Sequence, residues 1–215
     1  MTFLNIMNNV LRRLREEEAT TVTGSTYIKM VGDFINDAKQ LVEEANDWSA
    51  LRETIVVTTA ASDNDYSLTG GGDNVKVMSV INDTQNCFMG YQTKDWFNDS
   101  LYIADEVQGA PKYYTYNGLD SNGDTQVLVS PTPDGVYSLR FDVIKRQAPL
   151  TSNTDTLLVP AQPVIHLAVA LLARERGETG GTSTAAYFPI ANKYLSDAIA
   201  IDAAKHPEEM VFRTI

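Results

Sequence analysis

Side chains that carry covalent or metal chemistry are scarce in this sequence. It has one cysteine, Cys87, and two histidines, His166 and His206, among 215 residues. A single cysteine cannot form an intrachain disulfide, so synthesis in a reducing cytoplasm is expected. No apolar run reaches the roughly 18 residues of a transmembrane helix, and at the start of the chain the charges follow the apolar residues, the reverse of a secretory signal. We therefore expect a soluble protein with no membrane partner.

Basic charge is also sparse. The 17 lysines and arginines are scattered among 28 acidic residues, which gives a net charge of −11. Proteins that grip nucleic acid through phosphate contacts need clusters of basic side chains. DNA binding by a basic face is therefore not expected. The acidic excess is concentrated between residues 60 and 134, where eleven acidic residues face three basic ones.

The candidate catalytic residues lack the partners that catalysis requires. His166 lies in an apolar helical stretch without a metal-spaced partner, so we expect a neighbouring side chain to satisfy it. His206 follows the last helix and suits a helix-dipole contact. Cys87 has no basic neighbour to lower its pKa, and the glycine runs at 70–72 and 180–181 lack the lysine of a phosphate loop. We predict no catalytic residue, no metal and no cofactor.

Two features of the middle region suggest ligand binding but fit plainer interpretations. Asp120–Asp124 resembles a calcium loop, yet its glycine stands fourth and no glutamate stands twelfth, so an acidic turn is favoured. Tyr113, Tyr114 and Tyr116 could form a sugar platform, although alternation along a strand places such residues half in the core. A glycosidase carboxylate pair is not excluded by counting. A carbohydrate-binding or glycan-degrading tail module therefore stays open as an alternative.

Helical periodicity marks both ends of the chain. Residues 3–19 are predicted to form an amphipathic helix with an Arg12/Glu16 ion pair, and a second helix is predicted from a cap at Ser25 to about Trp48. Pro163 suits the first turn of a third helix. The fourth is predicted over about 183–204 with Pro189 kinking it or delaying its regular part. The apolar stripe expected to bury this fourth helix comprises Tyr187, Ile190, Ala191, Tyr194, Leu195, Ala198, Ile199 and Ile201.

Residues 52 to about 146 carry a different pattern of short β-branched runs separated by dense turn signals. We predict short antiparallel strands, the last of them alternating Leu139, Phe141 and Val143 against polar residues. The fold class is therefore α+β: a four-helix bundle formed by the N- and C-terminal helix pairs, with an inserted antiparallel β-rich region. The predicted divisions are 1–51 and 151–204 for the bundle, 52–150 for the β-rich extension and 205–215 for an extended tail.

The order and spacing of several segments resemble the head-to-tail adaptor (connector) family of podoviruses. The likeness is densest in SPTPDGVYSLRFDVIKRQAPLT (130–151), LLVP (157–160), PVIHLAVALLARERGE (163–178) and YFPIANKYLSDAI (187–199). Trp48 before the strand that starts at Arg52 fits the same pattern. None of these motifs is catalytic, and a long middle insert departs from the family.

This resemblance implies a structural virion protein of a bacteriophage at the head–tail interface, synthesised in the host cytoplasm. Twelve copies would form a ring on the portal protein, extend the DNA channel, and attach tail nozzle or tail fibre proteins. Genomic DNA would pass without sequence-specific binding, since a net negative lumen does not hold phosphates. Another virion completion subunit, such as a stopper or nozzle protein, is the remaining alternative. The residues that the resemblance assigns to portal binding are His206, Pro207, Met210, Val211, Phe212, Arg213 and Ile215.

Overall fold

A computed structural model describes residues 1–103, 107–176 and 182–205. It contains α-helices and mainly antiparallel strands, so the chain is α+β as predicted. The helices are α1 (Phe3–Arg13), α2 (Thr26–Glu44), α3 (Lys94–Asn98), α4 (Ala161–Glu175) and α5 (Thr182–Ala203). The strands are β1 (Arg52–Thr58), β2 (Asp65–Ser67), β3 (Val75–Asn82), β4 (Cys87–Phe88), β5 (Gly90–Tyr91), β6 (Tyr113–Leu119), β7 (Thr125–Ser130) and β8 (Ser138–Lys145).

The chain divides into two compact units. The helical unit joins Met1–Leu51 to the part that begins at Gln147, and the β unit is Arg52–Arg146. In the helical unit α4 contacts α1, α2 and α5, and α1 also contacts α2. The apolar face of α4 is buried throughout its length, so this helix lies at the centre of the unit's core.

The first helix is shorter than the predicted 3–19. It ends at Arg13 because Arg15 adopts the left-handed conformation, with φ of 58°. The Arg15 amide donates to the Arg12 carbonyl and the Glu16 amide to the Leu11 carbonyl, which is the Schellman pattern of helix ends. Glycine usually occupies this position, so the sequence gives no warning of it. The predicted Arg12/Glu16 pair is also wrong, since Arg12 pairs with Glu18 at 2.7 Å.

The predicted cap of the second helix is confirmed, but its predicted end is wrong. The Ser25 hydroxyl accepts a hydrogen bond from the Ile28 amide at 3.2 Å, as an N-cap should. The helix ends at Glu44, four residues before Trp48. Trp48 is nevertheless fully buried, and its indole nitrogen donates to the Val42 carbonyl at 2.7 Å. Trp48 therefore belongs to the apolar core without being part of the helix.

The segment between β8 and α4 is held by hydrogen bonds to the N-terminal helices. The Asn36 side chain both donates to and accepts from the Leu150 backbone, at 3.1 and 2.8 Å. The Asn153 side chain accepts from the Val22 amide at 2.9 Å. These contacts join residues more than a hundred positions apart in sequence and bring the two ends of the chain into one unit.

Two sheets make up the β unit. Their strand orders are β1-β8-β3-β4 and β2-β7-β6-β5, with all pairs antiparallel except β5 with β6. The predicted inward alternation of the last strand is confirmed, because Leu139, Phe141 and Val143 are buried. They join one apolar cluster with residues of the second sheet such as Val127 and Val129. The short elements α3, β4 and β5 have no counterpart among the predicted elements, since two to five residues are too few to show a period.

Candidate protein interaction surfaces

The tail assigned to portal binding, His206 to Ile215, lies outside the described residues, and so does the predicted dipole contact of His206. The described element closest to this tail in sequence is α5.

One apolar face of α5, which carries Ile190, Tyr194 and Ile201, is exposed, contrary to the predicted buried stripe. Of that stripe only Ala191 is buried, whereas Ile190 is 43%, Tyr194 40% and Ile201 67% exposed. The reason is that α5 packs mainly on α4 among the described elements. A helix that is apolar on more than one face normally requires more than one partner. The sequence shows the apolar residues but not which of them another helix covers. The helix runs continuously from Thr182 through Pro189, so the proline does not delay its start.

His166 on α4 contacts this surface. Its ring stacks on Tyr194 of α5 with centroids 4.4 Å apart and an interplanar angle of 12°. Burial, together with the charge of Arg13, lowers the pKa of His166 and so favours the neutral form of the ring. Tyr194 is thus a neighbouring side chain that packs on this histidine, while the satisfaction of its ring nitrogens by a neighbour stays a prediction.

The end of α5 is fixed by a buried carboxylate. Asp202 is 5% exposed and accepts hydrogen bonds from the Ser49 amide at 2.9 Å and the Ser49 hydroxyl at 2.6 Å. Lys205 contributes an ion pair at 2.9 Å. Burial raises the pKa of Asp202, but these hydrogen bonds outweigh burial and lower it. Asp202 therefore holds the point where the chain leaves α5.

Arg176 fixes the end of α4 in a similar way. Its guanidinium group donates to the Tyr27 hydroxyl and to a Glu16 carboxylate oxygen, the latter at 2.9 Å. It also lies over the Tyr27 ring. A depression of about 400 Å³ next to this contact is lined mainly by acidic and polar residues of the connection between α1 and α2, together with the start of α2. Such a lining repels phosphate.

One pair of opposite charges in the helical unit is buried and was not predicted. Lys39 and Glu43 form an ion pair at 3.1 Å on α2, with side chains that are both almost fully buried. The Lys39 ammonium group also donates to the Gln147 carbonyl at 2.6 Å. The spacing of four residues is visible in the sequence, but such pairs are usually solvated.

Aromatic side chains of the β unit form a partly exposed group. Tyr114 faces the core, while Tyr91 and Tyr116 lie beside it with ring centroids 6.2 Å from each other. On the opposite face of β6, Trp96 of α3 packs edge-to-face on Tyr113 at 5.0 Å. The predicted division of these tyrosines between core and surface is confirmed. Trp96 was not predicted as part of the group, because the sequence does not place α3 beside β6.

The acidic turn that resembles a calcium loop uses its carboxylates for backbone hydrogen bonds. Asp120 accepts from the Asn122 and Asp124 amides at 2.8 and 2.9 Å. Asp124 accepts from the amides of Gly70 and Gly72 at 3.0 and 2.8 Å. The acidic turn at 120–124 and the glycine-rich turn at 70–72 are therefore joined by hydrogen bonds.

Within the described ranges, no cluster of three or more histidine, cysteine, aspartate or glutamate side chains could hold a metal ion. Over the same residues, none of the helices combines the length and the apolar character needed to cross a bilayer.

The amino-acid sequence matches the model of a known family. No curated protein matches this chain. The family model described as SU10 adaptor protein matches residues 1–208, which span both units. That range includes the helical scaffold, the β unit and the start of the tail. The chain therefore belongs to the SU10 adaptor protein family and is a structural component of a phage virion.

Proposed function

We propose that this chain is one subunit of a twelvefold ring that docks on the portal, extends the DNA channel and carries the tail nozzle or tail fibres. In this role it is not an enzyme, and its partners are the portal protein, neighbouring copies and tail proteins. The membership of the adaptor family supports an interaction with other virion proteins. The exposed apolar face of α5 is the observation that carries the proposal, because it offers a surface that a second protein chain can cover.

The scaffold of the ring would be a four-helix bundle of α1, α2, α4 and α5. The contacts of α4 with the other three helices support this arrangement. The bundle corresponds to residues 1–51 and 151–204, and the portal-binding tail to 205–215. Tail proteins would bind the extension, residues 52–150, since its exposed side chains include aromatic and apolar residues such as Trp96 and Phe88.

The small number of exposed charges on α5 suits contact with a neighbouring copy in the ring. Along α5 the exposed charges are Lys193 and Asp197, one of each sign, in a chain of net charge −11. Charge-poor, apolar patches form the centres of protein interfaces. A face of this composition allows two negatively charged copies to meet without strong repulsion.

The length of α5 sets an upper limit on the strength of this contact. A helix of 22 residues is about 33 Å long, so one face offers on the order of 300 Å². A stable pair buries about 800 Å² per partner. Copies are therefore expected to stay monomeric in solution and to associate when the portal holds them side by side, where their effective concentration is high.

Electron microscopy of portal rings of the same phage mixed with the purified chain tests the proposal. A twelvefold layer is expected on the ring, whereas the chain alone stays monomeric by sedimentation. Replacing Met210, Val211, Phe212 and Ile215 by serine is expected to abolish attachment and to leave a folded monomer. The matched control, Glu208 and Glu209 to glutamine, changes two charges in the same segment and keeps the apolar residues.

The same experiment distinguishes the contribution of the tail to ring formation from that of α5. Ile201→Asp is expected to leave scattered single subunits on the portal without a closed layer, while Ser196→Asp, on another face of the helix, forms the layer. Undiminished attachment of the serine variant would remove the tail from the proposal. A closed layer with Ile201→Asp would remove α5, and the absence of any layer with the natural chain would refute the adaptor ring.

A further inference from the structure

Among the described residues, strand β1 pairs with β8 alone and lies at one edge of its sheet. It pairs with β8 in an unbroken antiparallel register from Arg52 opposite Ile144 to Thr58 opposite Ser138. Continuing that register, Thr59 lies opposite Tyr137, and its amide donates to the Tyr137 carbonyl at 2.9 Å. Hydrogen-bonded positions alternate along an antiparallel pair. The amides and carbonyls of residues 54, 56 and 58 therefore point away from β8, toward the open side.

The other sheet edges of the described residues are short or blocked. Strands β2, β4 and β5 have three residues or fewer. On the open side of β3, the Val77 amide donates to the Tyr116 hydroxyl at 3.3 Å and the Val80 carbonyl accepts from the Met89 amide at 2.8 Å. Beyond β5, β6 is interrupted by an irregularity between Tyr116 and Leu119. Short strands, side-chain caps and bulges are the usual protections of sheet edges.

None of these protections is present on β1. The strand has seven residues, contains no proline and shows no register shift. Its charges, Arg52 and Glu53, stand at one end, so the five residues that follow are uncharged. Thr54 and Thr58 are exposed and Val56 is 57% exposed, although valine favours a packed strand position. An open edge of this length is a site for pairing with another strand.

We propose that the open edge of β1 binds an extended strand from a tail protein of the virion. The alternating donors and acceptors of residues 54, 56 and 58 are satisfied by an extended backbone, which a helix cannot provide because its own backbone groups are paired. The bound strand is uncharged over about five residues, matching the uncharged stretch of β1. The identity of the occupant as a virion protein rests on the adaptor role proposed above.

A second copy of the chain does not fit this edge within a ring. Pairing of β1 with β1 is two-fold symmetric and closes after two copies. A ring needs a different edge on the neighbour, and the described residues offer no second long, open strand. The described residues of a neighbouring copy therefore offer no partner strand for β1, which favours a different protein as the occupant.

Amide hydrogen exchange of the segment 52–58 tests the proposal, in virions and in the free chain. The open-side amides of residues 54, 56 and 58 are expected to exchange quickly in the free chain and at least about tenfold more slowly in the virion. The amides of residues 55 and 57, which donate to β8, serve as the internal reference. Equal exchange of the open-side amides in the two states would overturn the proposal.

Two further outcomes of this measurement are informative. Slow exchange that appears in the free chain as its concentration rises would show a second copy on the edge and would also overturn the proposal. Absence of the chain from purified virions would refute the adaptor role itself, which is a separate failure. Fast exchange in virions that contain the chain leaves the adaptor role intact.

Variants at Val56 give a second readout, the amount of tail protein that purified portal–adaptor complexes retain. Val56→Pro removes one open-side amide, which a proline tolerates on an edge strand, and Val56→Lys adds a charge that disfavours pairing. Both are expected to retain about tenfold less tail protein. Val56→Thr keeps the amide and the branched side chain and is expected to stay within about twofold. If the proline variant unfolds below the natural chain's melting temperature, the lysine variant decides. Full retention by that variant would contradict the proposal.

Discussion

At the residue scale, the carboxylates that look suited to chemistry are used to hold backbone. Asp155 accepts hydrogen bonds from the Thr151 and Ser152 amides and from the Ser152 hydroxyl, at 2.6 to 2.8 Å. Asp202 and Asp124 act in the same manner on residues far away in sequence. A carboxylate that accepts several N–H groups is stabilised in its charged form. Such residues order loops, which suits a protein that presents surfaces to other proteins.

Asp155 gives a pH-dependent prediction. Its hydrogen bonds, first of all the one from the Ser152 hydroxyl, lower its pKa from 3.8 to about 2. A lowered carboxyl pKa means that its contribution to stability is complete above the ordinary pKa and is lost as the pH falls through the folded value. Asp155→Asn is therefore expected to melt at a lower temperature than the natural chain at pH 7, and this difference should shrink between about pH 4 and pH 2.

The measurement is thermal unfolding followed by circular dichroism across this pH range. Asp37→Asn is the matched control, because Asp37 is an exposed carboxylate on α2 and its replacement changes the net charge equally. A difference between Asp155→Asn and the natural chain that is constant from pH 7 to pH 2 would contradict the assignment.

At the element scale, the end of α1 makes the clearest prediction. Arg15 has φ of 58°, a conformation that costs a residue with a Cβ atom about 1 kcal/mol relative to glycine. Arg15→Gly is therefore expected to raise the free energy of unfolding by roughly 0.5 to 1 kcal/mol. Arg13→Gly, two residues earlier and at the last residue of the helix, should lower it by up to about 1 kcal/mol. Urea denaturation measures both, and a destabilising effect of Arg15→Gly would contradict the proposed Schellman end.

Sequence periodicity predicts some features of these helices and strands and not others. The helices at both ends and the inward face of β8 follow from the sequence because each repeats a pattern over many residues. The Ser25 cap follows from the residue type. The end of α1 does not, since an arginine holds the position that glycine normally marks. The exposed face of α5 does not either, because an apolar residue gives the same signal whether it packs on its own chain or on another protein. The open side of β1 depends on strand order, which composition does not encode.

At the scale of the whole molecule, the β unit is an insertion whose two ends lie together. Arg52 begins β1 and lies opposite Ile144 near the end of β8. Cross-strand partners have Cα atoms about 5 Å apart, so the chain enters and leaves the β unit at neighbouring points. Each unit has its own apolar core: α4 and its contacts in one, and the cluster that includes Phe141 and Val127 in the other. Domains joined in this way usually fold independently.

Removing the insertion tests this division. A chain in which residues 52–146 are replaced by about five glycine and serine residues needs to span only the short distance between the two ends. It is expected to fold as a helical monomer, because the bonds of Asn36 to Leu150 and of Asp202 to Ser49 all lie within the helical unit. Circular dichroism and cooperative unfolding measure this. The matched control replaces Asn36 by alanine in the shortened chain, which removes both hydrogen bonds to Leu150 and should lower stability by about 1 to 3 kcal/mol.

The shortened chain also separates the two proposed binding functions. If the helical unit makes the ring and the β unit receives tail proteins, the shortened chain should still form a layer on portal rings and should retain no tail protein. The natural chain in the same preparation shows both. A shortened chain that folds but forms no layer would mean that the β unit contributes to the ring contact. A layer that retains tail protein would contradict the assignment of tail binding to the β unit, including the edge of β1.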